Sequence, residues 1–318
     1  MEKIFLTHPP EIGNKDAKEK VIALGYFDGV HIGHQKVIKT AVNYAREKGL
    51  EAAVMTFHPH PSVVLKQLKK RDNYLTPPEA KAELIQELGA DLLYLVKFDE
   101  AFSRLSPQSF IDEYIIKLHA KHIVAGFDFT YGRMAQGTMN NLDEYSRKMF
   151  TYTVVPKVEC LGEKVSTTKI RSLISEGKVD DAVSCLGRHY QISGTVVHGD
   201  KRGRTIGFPT ANVKCDEPYV YPAKGVYAVQ CQLKNGWYNG VCNVGQRPTF
   251  YDNEQPITVE VFLLDFDGDI YDEDIKIVWH KKLRDEKKFS GIDALVAQIE
   301  KDKQQTIEYF SQLADKTT

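Results

Sequence analysis

No stretch of this sequence comes near the roughly 18 consecutive apolar residues that a membrane-spanning helix needs. The first thirteen positions carry charges and two prolines and hold no apolar run of the kind that directs secretion. Cysteine is scarce and unpatterned. Cys160, Cys185, Cys215, Cys231 and Cys242 form no CxxC pair and no regular spacing, so neither a disulfide framework nor a structural zinc site is expected. Reduced thiols in a cytoplasmic protein fit better. A basic excess is missing too: 42 Lys and Arg against 43 Asp and Glu leave a formal charge of −1. A general nucleic-acid binder needs cations to pair with phosphates, so nucleic acid is not expected as a partner, nor is a membrane. A Walker A loop is absent. The acidic run at 265–269 lacks the glycine and glutamate of a calcium loop, since Ile270 and Lys276 stand in their places.

What is present is an ordinary globular composition, 42% hydrophobic and 27% charged, over 318 residues. That length exceeds what one core usually serves, so two domains are expected. Residues 21–24, 52–57, 92–96 and 122–125 are short apolar runs that read as buried strands. Helical periodicity separates them at 34–48, 77–88 and 107–118. Strand–helix alternation of this kind predicts a parallel, doubly wound, Rossmann-like α/β sheet. Further helices are predicted at 168–175 and 179–186. Beyond Gly187 the pattern changes to short β-rich runs at 190–197, 226–233, 237–244, 257–264 and 274–280, split by Gly, Pro and Asn-Gly or Asp-Gly turns. These predict an antiparallel β-barrel or sandwich. A terminal helix follows, with Ser290 as its N-cap and Ile292, Leu295, Val296 and Ile299 as its apolar stripe. The expected domains are 1–186 and 187–318.

In the first domain, the turn at 25–34, GYFDGVHIGH, joins a buried strand to a helix, at the sheet edge where α/β folds bind ligands. Gly33 permits close backbone approach, and helix N-termini favour phosphate. His31 and His34 are three apart, so both can face one phosphate and donate hydrogen bonds to oxygens on which charge grows. Two surface histidines, or two thirds of a metal site, are the plain alternatives. Three more clusters follow strand ends: TFHPHP at 56–61, GFDFTYG at 126–132 and KVSTTKIR at 164–171. Each is weak alone, since prolines stiffen loops, aromatics fill cores and hydroxyls cap helices.

In the second domain, residues 199–212, GDKRGRTIGFPTAN, combine glycines with Lys201, Arg202 and Arg204 as phosphate partners. Thr210 and Asn212 alternate on an extended segment, so their oxygens point to one side and suit Mg²⁺. Glu260 lies on a strand face with Thr258 and Phe262, an apolar-leaning side where a lone carboxylate is costly. There it could accept a proton from an attacking primary alcohol.

Taken together, these motifs resemble those of the bacterial bifunctional riboflavin kinase/FAD synthetases, whose first half is an FMN adenylyltransferase of the nucleotidyltransferase superfamily. The family patterns GxFDGxHxGH, TFxPHP, GxDFxFG, SSTxIR, GRxxGFPTAN, ExHLLDF and LRxExxF occur here in order. Thr167 replaces a serine, Tyr131 a phenylalanine and Phe262 a histidine, and Asp272 falls where a glycine is frequent. The resemblance implies an N-terminal Rossmann-like nucleotidyltransferase domain and a C-terminal antiparallel β-barrel with a terminal helix. It implies that riboflavin is phosphorylated to FMN and FMN adenylylated to FAD, with ATP as co-substrate, ADP and pyrophosphate as products and Mg²⁺ as the metal. His31, His34 and Arg171 would be catalytic in the first reaction site. Gly25, Phe27, Asp28, Gly33, Ser166 and Thr168 would bind ATP, and Phe57, Pro59, Asp128 and Phe129 the flavin. In the second site Glu260 would be the general base, Gly203, Arg204, Thr210 and Asn212 would bind ATP, Thr210 and Asn212 the metal, and Arg284 would belong to a mobile flap over the flavin. A monomer or weak homo-oligomer is expected. A tRNA-linked enzyme of the synthetase type and a non-catalytic flavin carrier are the competing readings.

Overall fold

The computed structural model describes residues 1–11, 13, 18–65, 73–199, 203, 206–246 and 257–315. The chain divides into two compact units, Met1–Thr167 and Thr168–Thr318.

The first unit is built on β1 (Glu2–Leu6), β2 (Lys20–Leu24), β3 (Glu51–His58), β4 (Leu92–Lys97), β5 (Ala120–Gly126) and β8 (Thr151–Val155), with the short pairs β6 (Thr130–Tyr131) and β7 (Gly137–Thr138), and β9 (Glu159–Cys160) and β10 (Glu163–Lys164), outside the main sheet. The first six form one parallel sheet in the order β1-β4-β3-β2-β5-β8. Its helices include α1 (Ile32–Lys48), the short α2 (Pro61–Leu65), α3 (Pro78–Glu87), α4 (Glu100–Ser103), α5 (Pro107–Ile111) and α6 (Leu142–Ser146). Alternation along β2 explains the layering. Val21 and Ala23 face α1 and α3, packing with Ile38, Ala41 and Ile85. Ile22 and Leu24 face the opposite core, with Tyr94, Phe102, Phe110 and Tyr114. Both faces are therefore buried, as a parallel sheet requires, and β2 reads as an unbroken apolar run for that reason. Gly49 ends α1 in the left-handed region at φ 66°.

Some expectations shift. The helix expected over 107–118 is α only as far as Ile111 and continues as a π-helix over Asp112–Ile116. Edge strands β1 and β8 were not expected. Each buries one side only, with Phe5 and Val154 exposed, and so lacks a continuous apolar signature.

The second unit opens with α7 (Thr167–Ser175, its first residue belonging to the first unit) and α8 (Val179–Leu186). A closed antiparallel barrel follows, made of β11 (Tyr190–Val197), β12 (Ala211–Lys214), β13 (Gly225–Leu233), β14 (Gly236–Gln246), β15 (Ile257–Leu263) and β16 (Asp274–Arg284). Its order is β11-β12-β15-β14-β13-β16. Closure leaves no open sheet edge. The C-terminal helix α9 covers Ile292–Asp315. Gly291 O accepts its first backbone bond, from Leu295 N at 3.2 Å, so Ser290 lies one residue before the cap. Its buried side is carried by Asp302, Thr306 and Phe310, whereas Ile292 is exposed. Reduced thiols are found at Cys215, Cys231 and Cys242, but Cys160 and Cys185 are disulfide-bonded. Scattered cysteines without a CxxC pair carry no local signal of oxidation, so the sequence could not single out these two.

Candidate active sites

In the first unit, loops following β2, β3, β4, β5 and β8 enclose a cleft of about 1120 Å³. It lies at the C-terminal strand ends, where the order runs one way from β2 through β3 and the other way through β5. That reversal is the position at which open α/β sheets bind ligands.

The turn after β2 is conformationally strained. Phe27 and Val30 adopt φ of 55° and 40°, and such residues cost of order 1–3 kcal/mol each. Gly25 is required beside them, since a Cβ there would meet the Phe27 ring at 2.5 Å. Several bonds hold the turn in place. Asp28 Oδ1 accepts the Leu75 and Thr76 backbone N–H groups, each at 3.0 Å, and Gly29 N–H donates to Thr76 Oγ1 at 2.8 Å. Lys81 Nζ and Thr56 Oγ1 donate to Tyr26 O at 2.9 and 2.8 Å. Buried Lys81 also lowers the pKa of His58, second to the effect of His58's own burial.

This scaffold delivers His31 to the N-cap of α1, where its Nδ1 accepts His34 N–H at 3.2 Å. A neutral imidazole whose Nδ1 accepts must carry its proton on Nε2. The His34 ring stacks on His31 with centroids 3.5 Å apart, and Phe27 meets His34 edge-on. Both histidines line the cleft, together with Gly25, Phe27, Gly33, Phe57, Asp128, Phe129 and Ser166. Asp128 Oδ2 accepts from Lys164 Nζ at 2.6 Å, and the same ammonium lies 4.6 Å from the Phe127 ring centre.

Asp28 is placed differently from what the resemblance implies. It is 1% exposed and does not line the cleft, and its Oδ1 accepts both N–H groups of the 75–76 backbone. Pro59 does not line the cleft either, whereas Pro61 does. Thr168 and Arg171 lie on α7 within the second unit. Lys81 and Thr76 escaped the sequence reading because a buried lysine and a loop threonine have no local pattern.

In the barrel, Asn212 on β12 stands directly opposite Glu260 on β15, and Glu260 directly opposite Asn243 on β14. Val259, Val261 and Leu263 fill the interior, so Glu260 points outward onto a half-buried polar row. Thr258, Glu260 and Phe262 share that outer face, as alternation along the strand predicts, and Phe262 is its apolar member. Phe262 packs edge-on against Phe208, with centroids 5.4 Å apart. Thr210 precedes β12 by one residue. Gly199 and Gly203 complete a cradle there: a Cβ on Gly199 would meet Asn212 Nδ2 at 2.2 Å, and one on Gly203 would come within 3.5 Å of Thr210 Oγ1. Arg204 lies outside the described residues.

Arg284, expected on a mobile flap, ends β16 and is pinned. Its Nε and Nη2 donate to Asp302 at 3.0 and 2.8 Å, and Asp302 is 1% exposed. Gln298 Nε2 adds a bond to Asp302 at 2.7 Å. A fork on a buried carboxylate is strong and directional. Asp302 was missed because an acidic residue on an amphipathic helix reads as solvated.

A strand-end cleft holding paired imidazoles and a barrel face pairing a carboxylate with an amide define a two-site protein of the nucleotide-handling class. A family model for FAD synthetase matches residues 13–169, and one for riboflavin kinase matches residues 186–310. A bifunctional riboflavin kinase/FMN adenylyltransferase of Bacillus subtilis is 51% identical, over 98% of this chain and 99% of that protein. The protein so named from Listeria monocytogenes is 47% identical, over 99% and 100%. The chain therefore belongs to the bifunctional riboflavin kinase/FMN adenylyltransferase family. A crystal structure from Streptococcus pneumoniae, titled as a macrolide-efflux protein, matches with a TM-score of 0.88 and 35% identity, covering 96% of this chain and 99% of that one. No described helix of the present chain is long and apolar enough to cross a membrane.

Proposed function

We propose that the barrel unit phosphorylates riboflavin to FMN and the α/β unit adenylylates FMN to FAD, each with ATP. The reading is carried by one coincidence: a cleft at the strand-order reversal presents both imidazoles of HxGH, and the same chain sets Glu260 opposite Asn212 on a barrel face.

In the barrel, Glu260 takes the proton of riboflavin's terminal hydroxyl as that oxygen attacks the γ-phosphorus of ATP, and ADP leaves. Thr210 and Asn212 supply the hard oxygens that suit Mg²⁺, and the side-chain-free cradle at Gly199 and Gly203 gives the room. When bound, the cation neutralises phosphate charge. In the cleft, an FMN phosphate oxygen attacks the α-phosphorus of ATP and pyrophosphate departs. His31 donates from Nε2 to oxygens gaining charge, with His34 stacked behind it and Ser166 beside the phosphates. Asp128, Phe57 and Phe129 form the flavin side. Asp28 acts through the turn it holds rather than on ATP. The cytoplasm, where ATP is supplied, is the compartment this chemistry needs, and a monomer or weak homo-oligomer suffices for it.

Chromatography of products from riboflavin, Mg²⁺ and ATP tests the assignment. Glu260→Gln stops FMN formation, and His31→Ala stops FAD formation from FMN, each by about 10²–10⁴-fold. A folded single variant that loses both reactions overturns the two-site assignment.

A further inference from the structure

Asn243 has no part in the scheme above, yet it shares the face of the residues that do. It is the β14 partner of Glu260, as Asn212 is the β12 partner, so three polar side chains cross three strands in one row. Its flanking residues Cys242 and Val244 are both 0% exposed and fill the barrel interior, which leaves the Asn243 amide on the outer face. A Cβ on Gly245 would meet Glu286 Oε1 at 2.8 Å, Asn243 Nδ2 at 3.3 Å and Thr258 Oγ1 at 3.4 Å, so the amide sits over this face beside β15, with the Glu286 carboxylate as the other charged group facing it. Among the described residues the amide makes no side-chain hydrogen bond. A half-buried amide left in that state is costly unless a ligand satisfies it.

We infer that Asn243 is a specificity-determining residue of the phosphorylation site, hydrogen-bonding the side-chain hydroxyl next to the one that receives phosphate. The inference rests on the reading of Glu260 as the base. Adjacent strands lie about 4.8 Å apart. A polyol whose terminal hydroxyl meets Glu260 therefore brings its neighbouring hydroxyl within reach of the next strand, where Asn243 stands. The amide offers both a donor and an acceptor, which matches a secondary alcohol. A plain hydroxyalkyl chain would leave the amide unsatisfied, so the row selects polyol side chains over simple alcohols.

The test compares riboflavin with a flavin carrying an unbranched 5-hydroxypentyl chain at the same ring nitrogen, using the full-length chain. For Asn243→Ala, kcat/KM for riboflavin falls about tenfold, the equivalent of one lost hydrogen bond. The preference for riboflavin over the pentyl analogue shrinks by the same factor. Equal losses with both substrates, or no loss with riboflavin, overturn the inference. Asn243→Asp is isosteric and guards against a folding failure. Its added charge beside Glu260 moves the acid limb of the kcat/KM profile to higher pH, and an unmoved limb overturns the placement. Glu260→Gln, run in parallel, loses turnover of both substrates. If it retains turnover, the assignment of the base fails, and that result is separate from any outcome at Asn243.

Discussion

The two units solve one problem, presenting groups to a polyphosphate, by opposite means. The α/β unit builds its cleft from loops: a strained turn puts His31 at a helix N-cap, and bonds from Asp28, Thr56 and Lys81 keep it there. The proposed barrel site lies on strand faces, where register alone sets Asn212, Glu260 and Asn243 side by side. A loop site depends on supports that lie far away in sequence. A face site depends on the barrel staying closed, and therefore on whatever fastens its last strand and terminal helix.

That fastening gives the largest expected effect. Arg284 at the end of β16 and Asp302 on α9 form a forked ion pair whose carboxylate side chain is 2% exposed. Removing the carboxylate strips the Arg284 guanidinium, 19% exposed and still bonded to Asp285 O at 3.0 Å, of its ion partner, at a cost of about 3 kcal/mol. Asp302→Ala should lower unfolding stability by that order in urea titration, and it should impair FMN formation more than FAD formation. A loss shared equally by both reactions would show that the contrast between face site and loop site is wrong.

Acid should sharpen the same contrast. His280, 5% exposed, donates from Nε2 to Gln230 Oε1 at 3.1 Å, while its Nδ1 is buried without a partner among the described residues. Burial chiefly, with the His189 ring 3.9 Å away, depresses its pKa to about 4. A histidine depressed in the folded state adds stability that is complete above its unfolded pKa, near 6.5, and is lost as pH falls towards 4. The swing is at most about 3 kcal/mol by the same linkage. Asp302, Gln230 and the ring of Tyr309 remain in place, so His280→Phe should flatten the melting-temperature profile between pH 6.5 and 4. In the α/β unit, burial likewise lowers His58 and His122, which predicts that its acid sensitivity survives this substitution.

A smaller effect lies in the cleft wall. The Tyr131 hydroxyl is buried, has no partner among the described residues, and stands where the resembling family carries phenylalanine. Leaving a hydroxyl unsatisfied costs about 1–3 kcal/mol. Tyr131→Phe should therefore raise the unfolding free energy by about 1 kcal/mol in calorimetry. A fall instead, with weaker FMN binding, would show that the hydroxyl belongs to the ligand and not to the wall.

How much of this could be read beforehand follows the same division. Much of the lining of the α/β cleft was legible as motifs, because HxGH and its companions are contiguous, and the buried strands β2 to β5 announced themselves as apolar runs. The supports Lys81 and Thr76 were not, since their use depends on contacts across dozens of residues. On the barrel, Thr210, Asn212 and Glu260 stood out by chemistry. Alternation set Thr258, Glu260 and Phe262 on one face, but alternation alone cannot say that this is the outer side of the barrel. Asn243 and Asp302 were invisible for a related reason: each looks solvated until register or a buried arginine gives it a neighbour.

Asp272 gives the smallest expected change. Its φ of 63° lies in the left-handed region, and its backbone N–H donates to Val196 O at 2.9 Å. A glycine, frequent at this position in the family this chain resembles, keeps that bond and adopts the angle freely. Leaving the left-handed penalty behind returns up to about 1–2 kcal/mol, less for aspartate, which tolerates this region. The extra freedom of glycine in the unfolded chain takes back about 0.4–1 kcal/mol. Asp272→Gly should thus shift urea unfolding by no more than about 0.5 kcal/mol in either direction. The adjoining Tyr271 ring, which packs on His198 at 3.9 Å, keeps its backbone path, so the neighbouring Gly199–Asn212 cradle should be undisturbed and FMN formation unaltered. A drop in FMN formation without a drop in stability would assign the Asp272 carboxylate a part in the barrel site that register does not reveal.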